Sequence, residues 1–168
     1  MRKYIVYILA ATTIALTSCA SIDMYRLYTV EPTCSYPAMI KNDSVQIEYL
    51  TFMDDSSIKV SVTNNTKSKI YVMWGDTYID NYEITSARDE QEIYPGFSVH
   101  TSIFTKSFTH FFEKRDIKKY GYAQHLVSIP IRFDDDLVSY DAMLRMAKNK
   151  KTRKKDMASY DAQRHISF

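Results

Sequence analysis

The chain has 168 residues, of which 14% are aromatic, and its 22 basic and 20 acidic residues give a formal net charge of +2. This near balance excludes attraction by overall charge as an argument for a nucleic-acid or membrane function. Two cysteines are too few for a disulfide framework. The length is typical of one domain with a single hydrophobic core.

The N-terminus has the order of a secretory signal peptide. Two basic residues precede an apolar run from Tyr4 to Leu16, and small residues lead to Cys19. The run is interrupted by threonines and is shorter than the roughly 20 apolar residues that cross a bilayer, which disfavours a retained transmembrane helix. We therefore predict a signal peptide over residues 1–18.

The stretch Leu16-Thr17-Ser18-Cys19-Ala20 resembles the lipobox of Gram-negative lipoproteins. The resemblance implies a thioether-linked diacylglycerol on Cys19 and a further acyl chain on its amine, and we expect no other cofactor. Two chains suffice for stable anchoring. Ala20 and Ser21 follow the cysteine where enteric sorting rules place an aspartate for inner-membrane retention, which implies the outer membrane, with the periplasmic or surface face left open.

Removal of residues 1–18 leaves 150 residues with no formal net charge, because both cations of this segment are lost. Residues 19–43 carry prolines and polar residues without sustained periodicity, and we interpret them as a lipidated N-terminus and tether. Cys34 lies in this segment. With Cys19 acylated it has no intramolecular disulfide partner, and we assign it no role.

Alternating apolar residues begin at Val45 and indicate short strands joined by turns. After a turn at 54–57, Ile58, Val60 and Val62 predict a half-buried strand. The polar stretch 64–67 separates it from Ile70, Val72 and Trp74, and the pattern predicts a hairpin of the two strands. Trp74 is expected in the core.

Weaker and stronger strand patterns follow in the next sixty residues. Residues 77–84 predict a short strand, and Tyr94-Pro95-Gly96-Phe97 is typical of a type II turn. Residues 107–120 suit a helix or a loop. A last strand is predicted over 126–133, with Pro130 at a sheet edge or a bulge. Regularly spaced strands favour an antiparallel sandwich over residues 44–133.

Residues 134–168 are predicted to form a C-terminal helix and a basic tail. Leu137, Tyr140, Leu144 and Ala147 follow helical spacing, and the acidic run 134–136 would complement the helix dipole at its N-terminus. The helical pattern adds an α-helical segment to a mainly β fold.

The chain resembles uncharacterised bacterial lipoproteins that carry an immunoglobulin-like β-sandwich. The resemblance rests on Cys19, the Val-Thr-Asn-Asn-Thr stretch at 62–66, Trp74 and the Tyr-Pro-Gly stretch at 94–96. It implies a mainly β, antiparallel immunoglobulin-like sandwich at the cell envelope, and it transfers no active site.

No catalytic or metal-binding motif stands out. The histidines, His100, His110, His125 and His165, lack paired ligand spacing, and metal ligation would need several of them to converge. The acidic run 134–136 lacks the alternation and glycine of a calcium loop. The glycines are too far apart for a nucleophile elbow or a phosphate loop. We therefore expect neither a metal nor enzymatic activity.

The sharpest charge feature is a run of six cations in eight residues: Lys148, Lys150, Lys151, Arg153, Lys154 and Lys155. Such runs are often solvated tails. The alternative is contact with an anionic surface, where each cation contributes about 1 kcal/mol. Six cations would contribute less than one acyl chain of roughly 16 methylenes at about 0.8 kcal/mol each, so the run would orient the protein and not anchor it.

The sequence thus favours a non-enzymatic, membrane-anchored lipoprotein that acts as a binding or assembly component of the cell envelope. We expect its partners to be the membrane and an unknown envelope protein or glycan, and not nucleic acid, because the chain is exported. The alternative is an envelope hydrolase or metal-binding protein that uses the scattered histidines and aspartates.

Overall fold

The computed structural model describes residues 25–85, 88–107, 109–148 and 154–156. Within these residues the chain forms eleven strands, an α-helix that precedes the tenth strand, and a short helical segment at 154–156. The strands are β1 (Arg26–Glu31), β2 (Met39–Lys41), β3 (Val45–Leu50), β4 (Ile58–Asn64), β5 (Ile70–Met73), β6 (Tyr78–Ile79), β7 (Tyr82–Glu83), β8 (Glu90–Ile93), β9 (Ser98–Ile103), β10 (Tyr122–Phe133) and β11 (Asp136–Ala147), and the helix is α1 (Lys114–Tyr120).

The strands build two antiparallel sheets around one core. The larger sheet has the order β1-β11-β10-β5-β8, with β6 attached to β10 and β7 to β6, and the smaller has the order β2-β3-β4-β9. Alternate side chains of both sheets turn inward into a single apolar cluster. The predicted mainly β, antiparallel fold is confirmed.

Trp74 lies in this core, as predicted. It begins the 3-10 turn Trp74–Asp76 after β5 and is only 1% exposed. Its indole nitrogen donates to Gln91 Oε1 at 3.1 Å. The indole ring therefore fills the core while its polar N–H is satisfied.

The predicted hairpin between β4 and β5 is wrong. β4 pairs with β3 and β9 in the smaller sheet, whereas β5 pairs with β8 and β10 in the larger one. The polar stretch after Asn64 is therefore an arch that carries the chain across the core from one sheet to the other. A hairpin turn and an arch need the same turn-forming residues, so the local pattern does not distinguish them.

The predicted tether over residues 19–43 is wrong where this segment forms β1 and β2. β1 pairs with β11 from Arg26 to Glu31, and β2 pairs with β3. Leu27 and Thr29 face the core, while Tyr28 lies opposite Arg145 on the outer face and is nevertheless only 1% exposed. Burial on both faces removes the alternation that would have indicated a strand.

The predicted helix after residue 134 is also wrong over β11. The chain turns at residues 134–135, with Asp134 in the left-handed region at φ 49°, and Asp136 pairs with Phe133. β11 then pairs with β10 over twelve residues, and Ala142, Leu144 and Met146 enter the core. The acidic run forms a hairpin turn and not a helix N-terminus. Residues 154–156 are helical, and the neighbouring 149–153 and 157–168 lie outside the described residues.

Local turn predictions fared better. Gly96 has φ 76°, and Phe97 N donates to Tyr94 O at 3.0 Å, which confirms a type II turn. Pro130 lies in an interior strand, opposite Ser139, but falls between the segments of β10 that pair with β6 and with β5. On this side of β10 none of the described strands is paired with Pro130, so the N–H that proline lacks is not needed for pairing. Proline can therefore occupy an interior strand without lying at a sheet edge.

Two buried tyrosines differ in whether their hydroxyl has a partner. Tyr28 Oη donates to Asp156 Oδ2 at 2.7 Å, whereas none of the described residues hydrogen-bonds the hydroxyl of Tyr49, which is 4% exposed. Burial raises the pKa of both hydroxyls, with Asp156 reinforcing the shift for Tyr28 and Asp141 for Tyr49. Both phenols therefore remain protonated and neutral.

We expect opposite effects when each of these hydroxyls is removed. Tyr49→Phe eliminates an unsatisfied buried group and should raise the free energy of unfolding by about 1 kcal/mol. Tyr28→Phe loses a bond to a carboxylate and should lower it by about 2 kcal/mol. Denaturant titration of both variants measures this. A destabilised Tyr49→Phe would contradict the assignment of its hydroxyl as unsatisfied.

Candidate functional site

A groove on the outer face of the smaller sheet is a candidate binding site. It encloses about 640 Å³ across β3, β4 and β9 and reaches the start of β2. The outward side chains that line it are Glu48, Leu50, Lys59, Ser61, His100 and Ser102, with Pro37 and Ala38 at one end. The inward neighbours Tyr49 and Val60 are buried, so the sheet itself forms the floor.

Three polar residues form a row across this groove. Strand register places Ser61 opposite Glu48 on one side and opposite His100 on the other. In a serine hydrolase the imidazole lies between the acid and the hydroxyl. Here the serine occupies the middle position, so the acid does not contact the imidazole to orient it as a general base. The row can still offer hydrogen bonds and charge to a ligand.

A second cavity of about 500 Å³ lies between α1 and the start of β10, and His110 and His125 are among the residues that line it. The His125 ring packs edge-on against Phe111 and Phe112, with centroids 5.7 and 5.1 Å away. Its Nδ1 contacts Asp80 Oδ2, and its Nε2 lies 2.5 Å from Phe111 O. Both ring nitrogens therefore face acceptors within the fold.

Asp80 is the partner of His125 in this half-buried pair. Asp80 and Asn81 form the turn between β6 and β7 with φ of 50° and 69°. Partial burial raises the pKa of the Asp80 carboxyl, but hydrogen bonds from His125 and from Leu126 N outweigh this and hold the pKa below its ordinary value. Since Nε2 of His125 contacts a main-chain carbonyl, the pair ties the turn and the segment before α1 to β10 and is not aimed at a nucleophile.

The predicted site residues fall partly within the structure. Cys19 and the lipobox lie outside the described residues, as do Lys150, Lys151, Arg153 and His165. Lys148, Lys154 and Lys155 are exposed, as are His100 and His110, and Cys34 is half-buried between β1 and β2. Of the three described histidines, His110 and His125 line one cavity beside α1, whereas His100 lies on the smaller sheet and apart from them.

In the described part of the chain, no group of three or more histidine, cysteine, aspartate or glutamate side chains is placed to hold a metal ion. The same residues contain no helix that is long and apolar enough to span a bilayer.

Known proteins add no further constraint. No protein-family model matches this chain, and no curated protein is significantly similar to it. The site must therefore be interpreted from its own residues.

The groove was missed at the level of sequence because it depends on which strands are neighbours. Glu48, Ser61 and His100 are far apart in the chain and carry no motif. Each of the three occupies a polar position of an alternating strand. This pattern predicts that the side chain faces solvent, but it does not predict which residues of other strands lie beside it.

Proposed function

We propose that this chain is a lipoprotein of the bacterial cell envelope, anchored to the outer membrane through acyl chains on Cys19, and that its domain is a non-enzymatic binding or assembly component. The anchor is supported by the order of basic, apolar and small residues before Cys19. The binding role is supported by one structural observation, the groove on the outer face of the smaller sheet.

An immunoglobulin-like arrangement is part of this proposal. Two antiparallel sheets with a shared core, a tryptophan buried in that core and a chain crossing between sheets after Asn64 support it. In sandwiches of this kind, sheet faces and the loops at their ends are available to partners.

The lining of the groove favours an extended protein segment as its occupant. Leu50 is 51% exposed and offers an apolar contact, and the same lining also contains a carboxylate, an ammonium group, an imidazole and hydroxyls. Sugar rings usually pack on exposed aromatic faces, but the aromatic residue in this lining, Tyr49, is buried. The partner is therefore an envelope protein in preference to a glycan.

Photo-crosslinking in cells with the full chain tests this function. We expect a crosslinking residue in place of Ser61 to form one discrete protein adduct, and the same residue in place of Ser139, which is exposed on the other sheet, to form none. Leu50→Glu should lower the adduct yield at least about tenfold, because burying a leucine contributes about 1.5–3 kcal/mol.

The matched control is Leu137→Glu, since Leu137 is 61% exposed but lies on the β10–β11 hairpin, away from the groove. Its adduct yield should equal that of the unmodified chain. Equal losses in both variants, or adducts from both crosslinking positions, would refute the groove as the binding site. A glycan adduct from the Ser61 position would replace the protein partner.

A further inference from the structure

The chain enters the domain at one end of the larger sheet. Ala147, the last residue of β11, pairs with Arg26 of β1 on one side and with Tyr122 of β10 on the other. The described chain begins just before this point, at Tyr25. We call this the entry end of the domain.

The length of the chain before Tyr25 limits where the anchor lies. The six residue steps from Cys19 to Tyr25 span at most about 20 Å when fully extended. The hairpin turn at 134–135 lies at the opposite end of β11, and eleven residue steps of strand separate the two ends by about 36 Å. An anchor on Cys19 therefore keeps the entry end, and not the hairpin turn, close to the bilayer.

Lysines from separate parts of the sequence are exposed at this same end. Lys118 and Lys119 lie in the last turn of α1, which leads through Gly121 into Tyr122. Lys148 directly follows β11. These three side chains, and those of Lys154 and Lys155, are exposed.

The C-terminal lysines are held there by a defined contact. Asp156, the next residue, accepts hydrogen bonds from Tyr28 Oη and from Arg145 Nη1, both at 2.7 Å. Tyr28 and Arg145 are register partners on β1 and β11. The contact therefore fixes the position of residues 154–156 beside the entry end.

Five acidic residues lie beside these five lysines, but three of the five pair with arginines. Arg115 contacts Glu113 and Asp116 at 3.3 and 3.7 Å, and Arg145 pairs with Asp156. Asp54, whose carboxylate accepts from Lys114 N, and Asp55 lie beside the start of α1. The five exposed lysines therefore give the entry end a positive surface, although the mature chain has no formal net charge.

We propose that the entry end, with Lys118, Lys119, Lys148, Lys154 and Lys155, docks on anionic lipid headgroups of the membrane that holds the anchor. Docking sets the domain upright, with the hairpin turn at 134–135 pointing away from the bilayer. This inference rests on the proposed lipid anchor. The sequence predicted contact with an anionic surface for the basic run at 148–155 alone, and the proposal adds the two lysines of α1 to this contact. It also assigns the domain an orientation on the membrane.

Lysine acylation footprinting of the full lipidated chain in nanodiscs tests the orientation. We compare phosphatidylcholine nanodiscs with nanodiscs that contain about one third phosphatidylglycerol and measure the modification rate of each lysine by mass spectrometry. The five lysines of the entry end should react at least about fivefold more slowly on the anionic nanodiscs. Each lysine near an anionic surface contributes a factor of about five to binding. The effect should disappear at about 1 M salt.

Internal controls are present in the same molecule. Lys41 and Lys67 are exposed at the other end of the domain, and their rates should be equal on both nanodiscs. Lys118→Gln combined with Lys119→Gln should remove most of the protection of Lys154 and Lys155, whereas Lys41→Gln combined with Lys67→Gln should leave it unchanged.

Each outcome separates the two proposals. The mass of the N-terminal peptide is measured first, and a peptide without acyl chains would overturn the anchor itself. With the lipid present, equal rates on both nanodiscs, or protection shared by Lys41 and Lys67, would overturn the orientation alone.

Discussion

Asn64→Ala is expected to lower the free energy of unfolding by about 4 kcal/mol, because the Asn64 side chain makes four hydrogen bonds that each contribute about 1 kcal/mol. Asn64 ends β4 and has no exposed surface. Its amide nitrogen donates to Ser68 O at 2.8 Å and Ile93 O at 2.9 Å. Its amide oxygen accepts from the main-chain N and the hydroxyl of Thr66 at 2.8 and 2.7 Å.

These bonds join three parts of the fold. Ser68 and Thr66 belong to the arch between the sheets, while Ile93 ends β8 in the opposite sheet. The main chain of Asn64 also exchanges hydrogen bonds with Gly96 and Phe97 of the type II turn. Alanine would leave the buried carbonyl of Ile93 without this donor, so relaxation of the arch cannot fully compensate.

Denaturant unfolding of Asn64→Ala and of its neighbour Asn65→Ala measures this effect. Asn65 is exposed, and its side chain makes only a long contact of 3.4 Å to Asn42 O. Its replacement should change stability by less than about 0.5 kcal/mol. Similar losses in both variants would show that the arch needs polar residues in general and that the buried hydrogen bonds of Asn64 are not the cause.

The proposed lipid anchor predicts that Cys19→Ser abolishes stable anchoring in the outer membrane. A serine offers no thiol for the thioether, so the acyl chains are lost, and each chain of roughly 16 methylenes contributes about 13 kcal/mol to membrane binding. The variant should accumulate as a precursor that keeps residues 1–18, and the lipid should be absent from the mass of its N-terminal peptide.

Cys34→Ser is the matched control, since it replaces the other cysteine by the same residue. This variant should be processed and acylated like the natural chain. Membrane fractionation together with peptide mass spectrometry distinguishes the two. Normal processing of Cys19→Ser, with the protein still in the outer membrane, would eliminate the lipoprotein proposal.

The sequence predicted the local features whose cause is local. Alternation of Ile58, Val60 and Val62 placed these side chains in the core, where each is at most 1% exposed. The proline and glycine at 95–96 predicted the type II turn because their φ preferences require it. The only tryptophan was correctly placed in the core.

Strand neighbours were not predictable in the same way. The segment 136–147 contains both a helical spacing of Leu137, Tyr140 and Leu144 and an alternation that leads to Met146. Pairing with β10 decides between them, because twelve paired residues satisfy the main chain and bury the alternating set. The segment 26–31 had no clear pattern because Tyr28 is covered on the face opposite the core.

By itself, the sequence determined the β-rich class, the buried faces of the central strands and the type II turn, since each depends on residues close together in the chain. The signal peptide over residues 1–18 stays a prediction. The tertiary structure decided the arch at Asn64, the strand state of 136–147, the groove around Ser61 and the gathering of lysines at the entry end. Each of these joins residues that are distant in sequence, and the backbone hydrogen bonds and shared core that select one pairing over another exist only when the whole domain is assembled.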